Sequence, residues 1–198
     1  MAALKYSVVI GGPLDVNTYV VYGDDPGICV LIDPGAEPEL VSRAVGERTV
    51  SAVLLTHGHF DHMLYASPWL EKGARLYIHM EDAPMLNSSR LNLSGIVGQA
   101  LKLPAPDGFL EDGQILKLNG CEFRIIHTPG HTAGSVSLLC GGVLFSGDTM
   151  FYHSYGRTDF PGGSDEAMLH SLSVLKQLDP QTDVCPGHGP ATRIDWER

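Results

Sequence analysis

Three imidazoles and a carboxylate fall within six consecutive residues, His57-Gly58-His59-Phe60-Asp61-His62. They follow an apolar run, Val50 to Leu55, that reads as a buried strand. Imidazole nitrogen and carboxylate oxygen suit a borderline divalent ion such as zinc. Four such ligands on one turn point in different directions and can serve two ions. A fold for this chain must therefore hold that turn at a strand end and bring further ligands to it.

Three further segments meet the requirement. Thr128-Pro129-Gly130-His131-Thr132 follows a strand-like run at Cys121 to Ile126. Ser146-Gly147-Asp148-Thr149 follows Val143 to Phe145, and Pro186-Gly187-His188-Gly189 follows Asp183 to Cys185. Each places a metal-type residue just past a strand, beside a glycine that lets the backbone turn tightly. Strand ends along one edge of a sandwich would gather them all.

The other elements read as follows. Tyr6 to Ile10, Thr18 to Tyr22 and Ile28 to Ile32 are β-branched and aromatic runs divided by Gly- and Pro-rich turns. Pro38 to Val45 suits a short helix. A helix is expected from Asp61 through Leu70, then a strand over Arg75 to Ile78. Asn87 to Asp112, with Pro104 and Pro106, reads as a long loop with one helical turn. Strands follow at Gln114 to Leu118, Cys121 to Ile126, Ser135 to Cys140 and Val143 to Phe145, with hairpin turns at Asn119-Gly120 and Gly141-Gly142. Leu169, Leu172, Leu175 and Leu178 give the segment Asp165 to Leu178 a helical stripe. Strands followed by an outer helix, twice over, imply one domain over 1–198 with two packed sheets between helices.

Composition narrows the function. The formal net charge is −10, which disfavours a nucleic-acid surface. No run approaches the length of a membrane span. The start, Met1 to Ile10, reads as a strand rather than a leader. Cys29, Cys121, Cys140 and Cys185 are scattered among apolar runs and form no C-x-x-C, which fits buried free thiols and a cytoplasmic protein. No G-x-S-x-G, P-loop or G-x-G-x-x-G competes with the histidine cluster.

H-x-H-x-D-H, T-P-G-H-T, S-G-D and P-G-H-G, in that order, resemble the metallo-β-lactamase-fold hydrolases. The segment Gly156-Arg157-Thr158-Asp159-Phe160-Pro161-Gly162-Gly163-Ser164 brings the chain nearest to the small glyoxalase II-like members. The resemblance implies an αββα four-layer sandwich with two mostly antiparallel sheets and helices on the outer faces. It implies two divalent ions, zinc first, with iron or manganese accepted by the same ligands. His57, His59 and His131 would hold one ion; Asp61, His62 and His188 the other; Asp148 would bridge. Asp61 would also orient the nucleophile. The implied reaction is attack of metal-activated hydroxide on a thioester of the S-lactoylglutathione type, so the expected partner is a small, glutathione-linked molecule. Tyr155 and Arg157 are candidates for binding an anionic substrate. His79 is expected to be structural, His127 to point into the fold and His170 to lie at the surface. With Asp as the bridge and no Cys at a ligand position, β-lactam hydrolysis is disfavoured. The runner-up is a persulfide dioxygenase on the same fold, with one iron on His57, His131 and Asp148; other thioesters or lactones are further substrates to weigh. Larger glyoxalase II enzymes bind glutathione with a helical region for which no counterpart is expected after His188.

Overall fold

The computed structural model describes residues 4–198; the first three residues of the segment read as an opening strand lie outside that range. The chain forms two six-stranded sheets. The first runs β1 (Lys5–Gly11), β2 (Val16–Tyr22), β3 (Ile28–Ile32), β4 (Thr49–Leu54), β5 (Arg75–Ile78) and β6 (Gly108–Phe109), paired in that order. The second is ordered β12 (Thr192–Arg193), β11 (Asp183–Pro186), β10 (Val143–Gly147), β9 (Val136–Cys140), β8 (Cys121–His127) and β7 (Ile115–Leu118). Among the described residues four α-helices accompany them: α1 (Pro38–Val45), α2 (Phe60–Met63), α3 (Ser67–Leu70) and α4 (Asp165–Leu175).

Residue alternation separates the layers. In β3, Cys29 and Leu31 face a core that includes Val41 of α1 and Trp69 of α3, while Val30 and Ile32 face Phe123, Ile125, Leu138 and Phe145 across the sandwich. In β10, Val143 and Phe145 join that middle core, and Leu144 points to Met168, Leu172 and Leu175 of α4. Strands covered on both faces read as unbroken apolar runs, which is why Val50 to Leu55 carries so strong a signal. The layers are helix, sheet, sheet, helix, as expected.

The expectation of mostly antiparallel sheets holds for the second, where only β10 and β11 run parallel. The first is mixed: β1–β2 and β2–β3 are antiparallel, but β3–β4, β4–β5 and β5–β6 are parallel. The connections decide this. α1 lies between β3 and β4, and α2 with α3 between β4 and β5; a helical crossover returns the chain in the same direction.

Other differences are local. The helix expected over Asp61 to Leu70 is two separate turns, α2 and α3, parted by Leu64 to Ala66. Pro68, which has no N–H to give an upstream carbonyl, falls in the first turn of α3, where that donor is not needed. Leu169 is 60% exposed, and the buried stripe of α4 is Met168, Ser171, Leu172 and Leu175. The i, i+3 leucine count missed Met168, which is as apolar as leucine and faces the sheet. The long loop contains β6, a two-residue strand too short for any pattern. Both predicted hairpin turns form, with positive φ at Asn119, Gly120, Gly141 and Gly142.

Candidate metal centre

The turn after β4 carries His57 and His59 and runs into α2, which carries Asp61 and His62; all four are buried. His131 lies on the turn after β8, Asp148 follows β10, and His188 follows β11. The structure brings all seven together at one edge of the sandwich. His57, His59 and His131 form one group of potential ligands, and Asp61, His62 and His188 another. His59 Nδ1 is 2.8 Å from His131 Nε2, and His188 Nε2 is 3.2 Å from Asp61 Oδ2 and 3.3 Å from His62 Nε2. Asp148 lies between the groups: Oδ2 is 3.5 Å from His131 Nε2 and 3.7 Å from His188 Nε2, and Oδ1 is 3.3 Å from His62 Nε2. Tetrahedral ligands with bonds of about 2.0–2.1 Å stand about 3.3 Å apart, so these separations suit ions held between the side chains.

Four of the five imidazoles that meet the cluster have their other nitrogen held. His62 Nδ1 pairs with Asp33 Oδ2 at 2.9 Å, His131 Nδ1 with the Arg157 carbonyl at 2.7 Å, and His188 Nδ1 with the Leu14 carbonyl at 3.0 Å. His57 Nδ1 is 3.2 Å from Thr56 Oγ1. Such contacts select the tautomer that leaves the inward nitrogen free for a metal. His57 Nε2, His59 Nε2 and Asp148 Oδ1 are buried without a hydrogen-bond partner in the protein. Orphaned buried polar atoms are costly, and at His57 Nε2 and Asp148 Oδ1 a divalent ion removes the cost. The donor set therefore fits metal ions.

The two groups differ electrically. Burial, followed by the neighbouring His131, lowers the pKa of His59 to about 3; burial and the other imidazoles hold His57 well below the ordinary value. Burial also opposes a charge on His62, but Asp148, Asp61 and Asp33 outweigh it and raise its pKa well above the ordinary histidine value. His188 is raised as well, its burial outweighed by the contact with Asp61 and the charge of Asp148.

Two residues of the site escaped the sequence reading. Asp33, at the end of β3, has positive φ and accepts from Thr56 N at 2.8 Å and Thr56 Oγ1 at 2.6 Å besides His62. Asp82 accepts from Gly58 N at 2.9 Å, Thr132 Oγ1 at 2.7 Å and Gly134 N at 2.8 Å. It thereby ties the turn bearing His57 and His59 to the turn bearing His131. Asp33-Pro34-Gly35 after an apolar run had the same form as the ligand segments; Asp82 had no such signal.

The remaining candidates lie elsewhere. Arg157 makes a bidentate ion pair with Asp159 and its guanidinium stacks 4.0 Å over the Phe160 ring. Its backbone carbonyl, rather than its charge, reaches the cluster. Tyr155 is exposed and lines a separate crevice of about 390 Å³ with His153, Lys176 and Trp196. His79 is buried and stacks on half-buried His127, and His170 is exposed. Asn17 donates to the carbonyls of Pro186 and Gly189, holding the His188 loop against β2. All four cysteines are buried and free.

Residues 11–188 match the family described as the metallo-beta-lactamase superfamily. The chain belongs to that superfamily. It is 35% identical to hydroxyacylglutathione hydrolase GloC of Haemophilus influenzae, covering 88% of this chain and 86% of that one. Among solved structures, the BLEG-1 B3 metallo-beta-lactamase superposes with a TM-score of 0.90 at 34% identity, covering 98% and 96% of the two chains. TTHA1623 in a di-iron-bound form gives a TM-score of 0.85 at 39% identity over 96% of each. The protein is a metal-dependent hydrolase of this superfamily with a His/Asp metal-binding cluster. Among the described residues no helix is long and apolar enough to cross a membrane.

Proposed function

We propose that the protein hydrolyses a small thioester of the S-lactoylglutathione type in the cytoplasm, using two divalent ions. The observation that carries the reading is the pair of ligand groups joined by Asp148. His57, His59 and His131 would hold one ion, Asp61, His62 and His188 the other, and Asp148 both; zinc fits, and the same donors accept iron or manganese. Bound there, two ions supply Lewis acidity and a water that loses its proton near neutral pH. The chain does the rest. Asp61 orients the attacking water by accepting its hydrogen bond. The bonds from His62, His131 and His188 to Asp33, Arg157 and Leu14 hold the imidazoles still. A thiolate leaves as a weak base, so no strong general acid is needed. The name of the Haemophilus relative supports the thioester, and four free thiols fit a reducing compartment.

The test is hydrolysis of S-lactoylglutathione by metal-loaded protein beside a chelated control, with a lactone and a β-lactam in parallel. The lactam belongs there because a protein named as a B3 metallo-beta-lactamase shares the fold at 34% identity, so the lack of a cysteine ligand is a weak ground for setting lactams aside. Chelator-sensitive thioester turnover above the other two is expected. Metal-bearing protein that leaves the thioester intact overturns the reading. Oxygen uptake with glutathione persulfide by the iron-loaded protein would replace it with the dioxygenase alternative.

A further inference from the structure

A second cluster of metal-type groups lies outside the seven residues of the centre. His79 follows β5 in the first sheet, Glu81 is two residues on, and His127 ends β8 in the second sheet. One ligand atom from each of the three lies within 4.8 Å of the others. The imidazoles are stacked, with ring centroids 4.2 Å apart and planes 11° from parallel. His79 Nδ1 accepts from the Glu81 backbone N–H at 3.3 Å, a long bond that an ion can displace. His127 Nε2 is 2.9 Å from the Ala133 carbonyl and 4.0 Å from Glu81 Oε2. The Glu81 side chain is 54% exposed and free to swing, and that of His127 is 26% exposed.

We infer that His79, His127 and Glu81 form an additional site for a divalent transition-metal ion, separate from the catalytic pair. Two imidazoles and a carboxylate are a ligand set for zinc and its neighbours, with water completing the shell. A small rotation of Glu81 brings its oxygen to coordinating distance. Burial and the neighbouring His127 lower the pKa of His79. His79 Nδ1, which accepts the Glu81 N–H, therefore keeps a lone pair for an ion. The site binds more weakly than the central ones, because Glu81 is exposed and His127 must exchange its bond to Ala133. Its position gives an ion there a consequence. The His79 carbonyl accepts from the backbone N–H of Asp82, the residue that ties the two histidine-bearing turns together. An ion joining β5 to β8 therefore braces the catalytic centre from behind.

The experiment is a zinc titration of full-length protein already equilibrated with its tightly bound zinc, followed by calorimetry and by the histidine ring resonances. The wild type should take up one equivalent more than His127→Gln, and the His79 and His127 resonances should move in that step. Glu81→Ala, a change at an exposed position that leaves folding intact, should weaken that equivalent by tenfold or more. His170→Gln, an exposed control on α4, should leave it unchanged. Equal uptake by wild type, His127→Gln and Glu81→Ala overturns the site, as does a wild type that takes up no further zinc. Because the readout is a difference between proteins, it does not depend on how many ions the central cluster holds or on the substrate.

Discussion

The two ligand groups of the centre are built from opposite materials. His57, His59 and His131 are three buried imidazoles whose neighbours push them toward the neutral form. Asp61, His62 and His188 mix charge signs, and the raised pKa values of His62 and His188 mark a place where carboxylates hold protons on imidazoles. One fold edge thus carries two unlike groups of ligand-type side chains, with Asp148 lying between them.

The largest effect should come from breaking the joint. Asp148→Ala should abolish turnover and cost both groups affinity, read by metal analysis after dialysis. A variant that keeps two tight ions and normal turnover would remove the bridging role. Next, His188→Ala should empty the mixed group while the histidine group keeps its ion, and His131→Ala should do the reverse. If each variant loses both ions together, the two groups are one site. Lowering the pH should separate the groups without mutation. As pH falls, a proton competes with the ion first at His62 and His188, whose pKa values are raised, whereas His59, with a pKa near 3, stays free of protons far into the acid range. The mixed group should therefore release its ion first, and simultaneous release would contradict the electrical difference.

Asp33→Ala is a subtler probe. It frees His62 Nδ1 and leaves Thr56 N without its acceptor, so affinity in the mixed group should fall by about 10–100-fold. Equal losses in both groups would point to general loosening. The smallest effect is expected from Arg157→Ala. Its side chain is paired with Asp159 and exposed, and its carbonyl is untouched by the change. KM for charged and neutral thioesters should shift alike and little; a rise confined to charged substrates would restore the guanidinium as a substrate anchor.

Legibility from sequence follows the same division. The turn after β4 was readable because four ligand-type residues are contiguous. His131, Asp148 and His188 were readable because each stands in a short Gly-containing segment after an apolar run, and the family resemblance grouped them. The pairing of Tyr155 and Arg157 with substrate followed only from closeness in sequence to Asp148. Tyr155 instead reaches the crevice beside α4, and Arg157 brings only its carbonyl to His131 while its charge turns to its own neighbour Asp159. Asp82 was invisible because its work is three hydrogen bonds to segments 24 to 52 residues away.

Taken by itself, the amino-acid order determined the layers, the hairpin turns and the chemistry of the ligands, because these depend on periodicity, turn residues and side-chain type within short windows. Strand direction in the first sheet, the two-part helix after the cluster and the contrast between the two ligand groups were decided by the folded arrangement. Helical crossovers set strand direction. The charge on His62 depends on Asp33, Asp61 and Asp148, two of them remote in the chain. An imidazole's protonation state is a property of what surrounds it in space, and only the tertiary structure assembles those surroundings.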